Sequence, residues 1–187
     1  KISSSAYRAR VNPRSKEAQT WFMNNVRNLN VSRNKVLNDP ALSKPGSVQI
    51  GDMIMYVYDP KLKDILPYYD KFPLSVVVDI KRDGFDALNL HYLRPDLRAR
   101  FLDELLKLGP AEPTEKARLT KLRYSLLKGA AKFSAFKPCY KRYLSEHLKS
   151  AVTRVPMTDW EIAIFLPTED FSKASLGKVF KDSSGMI

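Results

Sequence analysis

Cysteine, histidine and glycine are scarce in this sequence of 187 residues. One cysteine, Cys139, excludes an internal disulfide and any zinc site built on several thiolates. It reads as a half-buried small residue on a helix, and a lone thiol fits an intracellular, reducing origin. The two histidines, His91 and His147, have no third ligand type near them in sequence, so no metal site is expected. His91 reads instead as a hydrogen-bonding residue at the end of a strand. The seven glycines form no Gly-rich phosphate loop, and neither a nucleophile elbow nor a Cys–His pair occurs. No catalytic residue, cofactor or small-molecule substrate is expected. No apolar run reaches the roughly 18 residues that a bilayer demands, so no membrane partner is expected either. No signal peptide opens the sequence. It begins at Lys1 rather than Met, which leaves room for residues upstream.

Positive charge is what the chain has in excess. Lys and Arg number 32 against 20 Asp and Glu, a net charge of +12. Such a balance points to an anionic partner, either nucleic acid or an acidic protein surface. The charge is concentrated. Between Pro113 and Ser150 stand ten lysines and arginines against two glutamates, which leaves eight of the twelve net charges there. Lys121, Arg123, Lys128, Lys132, Lys137, Lys141 and Arg142 are the candidate binding residues. Phosphate binding needs this density of long cations, because each neutralised phosphate releases a counterion. Tyr124, Phe133, Phe136, Tyr140 and Tyr143 interleave with them and could stack on bases. The same stretch also fits an acidic protein partner, or a solvated helical face over an aromatic core. Sequence leaves the three open.

The apolar fraction of 44% is that of a folded chain. Residues 1–14 lack an apolar period and read as a flexible basic arm, with Arg8 and Arg10 available to dock on a partner. A helix is expected over 15–37, with Ala18, Trp21, Phe22, Val26 and Leu29 on one face. The densest β-forming material follows. Strands are expected near 52–58, 74–81 and 85–91, with Arg82-Asp83-Gly84 as a hairpin turn in which Gly84 supplies a positive φ. The loop between Pro60 and Pro73 is unusually aromatic. Tyr68, Tyr69 and Phe72 in it are expected either to dock a partner or to close the core. The stretch 95–150 reads as helical, in three helices opening at Pro95, at Pro113 and near Pro138. In the C-terminal segment 151–187, residues 152–155 suit a short strand. Thr158 to Glu161 has capping-box spacing, yet 162–166 reads equally well as a buried strand. Beyond Pro167 the chain reads as polar and small, with Phe171, Val179 and Phe180 as isolated anchors. The expected fold over 15–187 is a single α+β domain. In it a small antiparallel, β-barrel-like or half-open sheet packs against about four helices.

One constellation could carry chemistry. Asp79 and Lys81 form an Asp-x-Lys pattern at the end of a valine-rich strand, with Asp70 upstream. Metal-dependent nucleases use such a set, the carboxylates holding Mg²⁺ and the lysine orienting water. Any exposed strand end can read the same way, and the helix-flanked strand order of those enzymes is not evident.

Four phrases carry a resemblance. They run from Lys63 to Leu74, from Leu88 to Leu93, from Phe136 to Leu144, and from Asp159 to Pro167 with Phe171 beyond. Together, over about residues 46–185, they resemble a family of virion proteins from large contractile-tailed, T4-like bacteriophages. Its members are labelled DNA end protector, head-completion or structural protein. The resemblance implies a virion component, assembled in the host bacterial cytoplasm. Its first reading is a structural part of the tail, baseplate or neck that acts through other virion proteins. The alternative is a protein that binds and protects DNA ends, and a Mg-dependent nuclease comes third.

Overall fold

A computed structural model describes residues 33, 37, 38, 47–107 and 137–186. The arm 1–14, most of the helix expected over 15–37 and the helix opening at Pro113 lie outside them. So do Arg8, Arg10, Lys121, Arg123, Lys128 and Lys132. Within the described chain the elements are β1 (Met53–Met55), β2 (Tyr69–Asp70), β3 (Leu74–Lys81), β4 (Gly84–Asn89), α1 (Pro95–Lys107), β5 (Tyr140–Leu144), β6 (Thr153–Arg154), α2 (Trp160–Ala163), β7 (Phe171–Ser172) and α3 (Leu176–Ser184).

Five strands form one antiparallel sheet in the order β5-β4-β3-β1-β6, and β2 pairs with β7 in a second, small sheet. The larger sheet rests on the valine-rich β3, whose alternate side chains face two separate cores. Leu74, Val76 and Val78 join Met53, Met55 and Leu88 in the main core, under Phe101 and Leu102 of α1, Trp160 of α2 and Val179 of α3. Val77 faces the other way, into an aromatic core with Ile54, Tyr56, Tyr58, Phe85 and Tyr143. A strand buried on both faces needs apolar residues at every position rather than at alternate ones, and β1 and most of β3 have them.

The architecture is therefore α+β, with an antiparallel sheet at its centre. Among the described residues the sheet ends at β5 and β6 and does not close into a barrel. It does curl. Beyond β1 the chain reaches the segment after β5: Asp59 donates its amide to the His147 carbonyl at 3.1 Å, and Lys149 donates to Val57 at 2.8 Å.

Several expectations need correction. Pro138 to Leu148 is not a helix but β5 followed by a 3₁₀ turn, Ser145–His147. The unpaired edge of β4 captures it, with Phe85 opposite Tyr143 and Leu88 opposite Tyr140. Cys139 accordingly lies just before a strand, fully buried. Burial pushes its thiol up to about 12. Gly84 has no positive φ; among the described glycines that conformation belongs to Gly51, at φ 85°. Lys81 pairs directly with Gly84, so the turn is Arg82-Asp83 alone. Gly84 is instead needed for space, because a Cβ there would lie 2.0 Å from the Tyr143 carbonyl oxygen. Phe72 closes the main core. The run 162–166 is buried but helical and turn-like rather than a strand. Thr158 makes no capping box; its hydroxyl reaches the neighbouring Asp159 side chain at 3.4 Å. The polar tail carries α3, started by Ser175, whose Oγ accepts from the Lys178 amide at 3.3 Å.

Candidate functional site

Edge strand β5 forms one wall of a cleft of about 370 Å³. Tyr140, Lys141, Arg142 and Tyr143, four consecutive residues, all contribute to it. Tyr68 comes from the loop entering β2, Tyr69 from β2 itself, and Tyr92 from the 3₁₀ turn that follows β4. Tyr58, Ser183 near the end of α3 and Met186 just beyond it also line the cleft. Six tyrosines from four separate stretches thus converge on one cavity.

Several of these rings make edge-to-face contacts, an arrangement favoured by the quadrupole of an aromatic ring. Tyr92 meets Phe171 at 5.0 Å and 88°, and Tyr58 meets Tyr143 at 4.9 Å and 82°. Tyr68 leans against both Tyr92 and Phe171. Burial raises the pKa of Tyr92 and Tyr143 well above that of a free phenol, so both remain neutral. Tyr140 is exposed, and its hydroxyl donates to Asp86 at 2.9 Å. Partial burial, then that hydrogen bond, push its phenol up to about 12.

The two cations differ. Lys141 places its ammonium 4.1 Å from the centroid of the Tyr92 ring, a cation–π contact. Burial lowers its pKa, and among the described residues no carboxylate pairs with it. Arg142 is largely committed, its guanidinium bridging Asp83 and Asp86 at the β3–β4 turn.

Asp70 forms part of the cleft lining and leads into a buried polar network. Its carboxylate accepts from the Phe72 amide at 2.9 Å and from Asn89 Nδ2 at 3.1 Å, and it meets His91 Nδ1 at 2.7 Å. Burial pushes this carboxyl up, but His91 and these hydrogen bonds outweigh it and hold the pKa below the usual value. Asn89 also donates to the Tyr143 hydroxyl at 3.0 Å and accepts the His91 amide at 3.0 Å. On the far side of His91, Nε2 meets Thr168 Oγ at 3.3 Å. Arg98, fully buried, donates to the carbonyls of Leu93 and Ile164 and pairs with Glu169 at 2.7 Å. Arg33 donates to the carbonyls of Thr168 and Glu169. Carboxylate, imidazole and hydroxyl follow each other in the order of an acyl-transfer triad. Here, though, His91 and Thr168 are 0% exposed and no substrate carbonyl could reach the hydroxyl. The network fastens the 168–170 segment to the sheet behind the cleft.

A family model described as the phage T4 terminal DNA protecting protein matches residues 4–184. The chain belongs to this family. No curated protein and no solved structure is detectably similar to it. The family match takes in every residue of the cleft except Met186.

Within this family member, the cleft joins residues that the sequence had placed in two groups. Tyr68 and Tyr69, expected to dock a partner, line it together with Lys141 and Arg142, expected to bind an anion. Lys137 is exposed two residues before Cys139. The nuclease constellation does not assemble. Asp79 and Lys81 pair with each other at the exposed hairpin end, while Asp70 is buried against His91. Asn89, which holds Asp70, sits opposite Ser75. Four residues of strand separate Ser75 from Asp79, about 13 Å at 3.3 Å per residue. Among the described residues no three metal-ligating side chains cluster. The Asp70–His91 and Arg98–Glu169 pairs escaped sequence reasoning. Their partners lie far apart in the chain, and only the placing of His91 at a strand end pointed toward them.

Proposed function

We propose that this protein binds and shields DNA ends in the virion of a contractile-tailed phage. Of the two virion roles that the resemblance implies, the family match favours end protection over a tail or baseplate part. The observation that carries the reading is the cleft. Six tyrosines and a lysine that has no carboxylate partner among the described residues share one cavity at a sheet edge, in a chain of net charge +12. Aromatic faces and long cations are what nucleic acid offers partners for: bases stack, and phosphates release counterions when neutralised. Protection requires occupancy of the end rather than cleavage, so the role needs no catalytic group. Other virion proteins would be neighbours at the packaged end.

The test compares a linear duplex with the same sequence as a closed circle. The protein should bind the linear form preferentially and block an exonuclease from its ends. Affinity should fall with salt at a log–log slope of about −0.9 for each phosphate contacted. In Mg²⁺ without added nuclease the DNA should stay whole. Equal affinity for circle and line, with no protection, would defeat the proposal.

A further inference from the structure

We propose that the cleft takes a single unpaired nucleotide at a DNA terminus, with its base among the tyrosine rings and its phosphate at Lys141. This rests on the end-binding reading and makes it specific: the protein would recognise a frayed or overhanging end rather than the duplex itself.

Size is the first argument. A cavity of about 370 Å³ lies at the small end of the range for sites that enclose one small ligand. A stacked duplex cannot enter it; the major groove alone is about 12 Å wide. Only a nucleotide taken out of the stack fits, and extrusion is least costly where the base is already unpaired. A terminus meets that condition, while the interior of a duplex does not.

The chemistry of the walls is the second. The hydroxyls of Tyr140 and Tyr143 already bond to Asp86 and Asn89. The exposed Tyr140 therefore offers a ligand mainly ring surface, while Tyr143 is buried and backs the cleft. Ring faces accept any base, so recognition would be tolerant of sequence, as stacking sites are.

Charge is the third. Asp70 keeps its negative charge, but it is buried with its oxygens turned to the Phe72 amide, Asn89 and His91, so a phosphate would settle at Lys141 rather than beside it. Arg142 is shared between two carboxylates. Lys141, among the cleft's charged groups, is half-buried and, among the described residues, has an aromatic ring rather than a carboxylate as its partner. A phosphate beside it would supply the counter-charge it lacks. The cleft is also backed at Asp70 by the buried His91 and Asn89, which suits a strand end better than a strand running through.

The experiment titrates the full chain into three DNAs of equal length: blunt duplex, duplex with a three-nucleotide overhang, and closed circle. A 2-aminopurine at the terminal position reports stacking. The wild type should bind the overhang at least tenfold tighter than the blunt end, with a change in terminal 2-aminopurine emission. Tyr140→Ala and Lys141→Gln, both at positions that are not fully buried, should each remove about tenfold of that preference, with urea midpoints confirming that they fold. If blunt and overhanging ends bind equally, with no terminal signal and no effect of either variant, the cleft assignment is overturned while end binding stands. If neither end is preferred to the circle, end binding itself fails. Should a variant unfold, photocrosslinking of 5-iodouracil at the terminal nucleotide of the wild-type complex decides. Crosslinks to the cleft tyrosines support the proposal, and crosslinks only elsewhere overturn it.

Discussion

Replacing Gly84 by alanine tests the geometry of the β4–β5 ladder directly. A Cβ added to Gly84 would stand 2.0 Å from the carbonyl oxygen of Tyr143 and 3.0 Å from Leu144 Cα. Both obstacles are backbone, so no rotamer change relieves them, and β5 must retreat by more than an ångström. The retreat strains the Gly84–Leu144 pair and the Ser145 amide bond to Asp83, now 2.9 Å. Losing one or two such bonds costs about 0.5–1.5 kcal/mol each, and displacing packed neighbours adds about 1–3 kcal/mol. Alanine recovers about 0.4–1 kcal/mol by restricting the unfolded chain. The net loss should be about 2 kcal/mol, read as a fall in the urea midpoint at unchanged m-value. Asparagine separates this cause from backbone conformation. It tolerates positive φ better than alanine does, so a turn glycine would accept Gly84→Asn more readily than Gly84→Ala. Under close approach the larger side chain is the worse one. An alanine variant as stable as wild type, or an asparagine variant more stable than the alanine one, would refute the reasoning.

Phe72→Ala should destabilise the isolated protein by about 3–5 kcal/mol in urea denaturation, because Phe72 is buried in the main core; a change below 1 kcal/mol would place it outside that core. Asp70→Asn should cost about 3–5 kcal/mol near neutrality by leaving a broken buried pair, and should also weaken acid sensitivity. Since the folded pKa of Asp70 lies below its ordinary value of 3.8, its contribution is complete above that value and is lost as pH falls through the lower, folded one. Midpoints measured from pH 5 to pH 2 should therefore fall less steeply in the variant. Some slope should remain, because Arg98 also holds the Glu169 carboxyl low against the opposing effect of burial. An unaltered acid profile would show that Asp70 is not so held.

The β3–β4 hairpin was legible because its signals are local: a valine run, a two-residue polar turn, then a second apolar run. Strand β5 was not. Tyr140, Tyr143, Leu144 and Leu148 recur at three- and four-residue steps that satisfy a helical stripe. What decides their state is the free edge of β4, some fifty residues away in sequence. Local periodicity carries no information about such an edge. The α3 helix was hidden for another reason. It is nine residues long and buries only Val179 and Ser183, too few to draw an apolar face. The cleft falls between these cases. Its tyrosines and cations were visible as residues, but Tyr68 and Lys141 lie in segments that share no pattern. Only the sheet and the β2–β7 pair bring them to one place.

Why a small protein should bury the Asp70–His91 and Arg98–Glu169 pairs is answered by what they touch rather than by what they add to stability. A buried pair gains little over an apolar replacement, although losing one partner is costly. Its return is in positioning. Asp70 follows Tyr69 directly in β2, and His91 precedes Tyr92 in the turn after β4. Asn89, bonded to both Asp70 and His91, donates to the hydroxyl of Tyr143. Three of the cleft's tyrosines are therefore members of this network or immediate neighbours of one. On the other side, Thr168 and Glu169 lead into β7, where Phe171 packs against Tyr68 and Tyr92. The proposed stacking needs the ring that meets the base to hold its orientation, and a hydrogen bond is more directional than an apolar contact. The hydrogen bond from Asn89 restrains the Tyr143 hydroxyl, and the bonds of Asp70 and His91 restrain the backbone that carries Tyr69 and Tyr92. In the proposed binding site the buried pairs would act as second-layer hydrogen bonds do at a metal site, helping to set where the rings beside them stand.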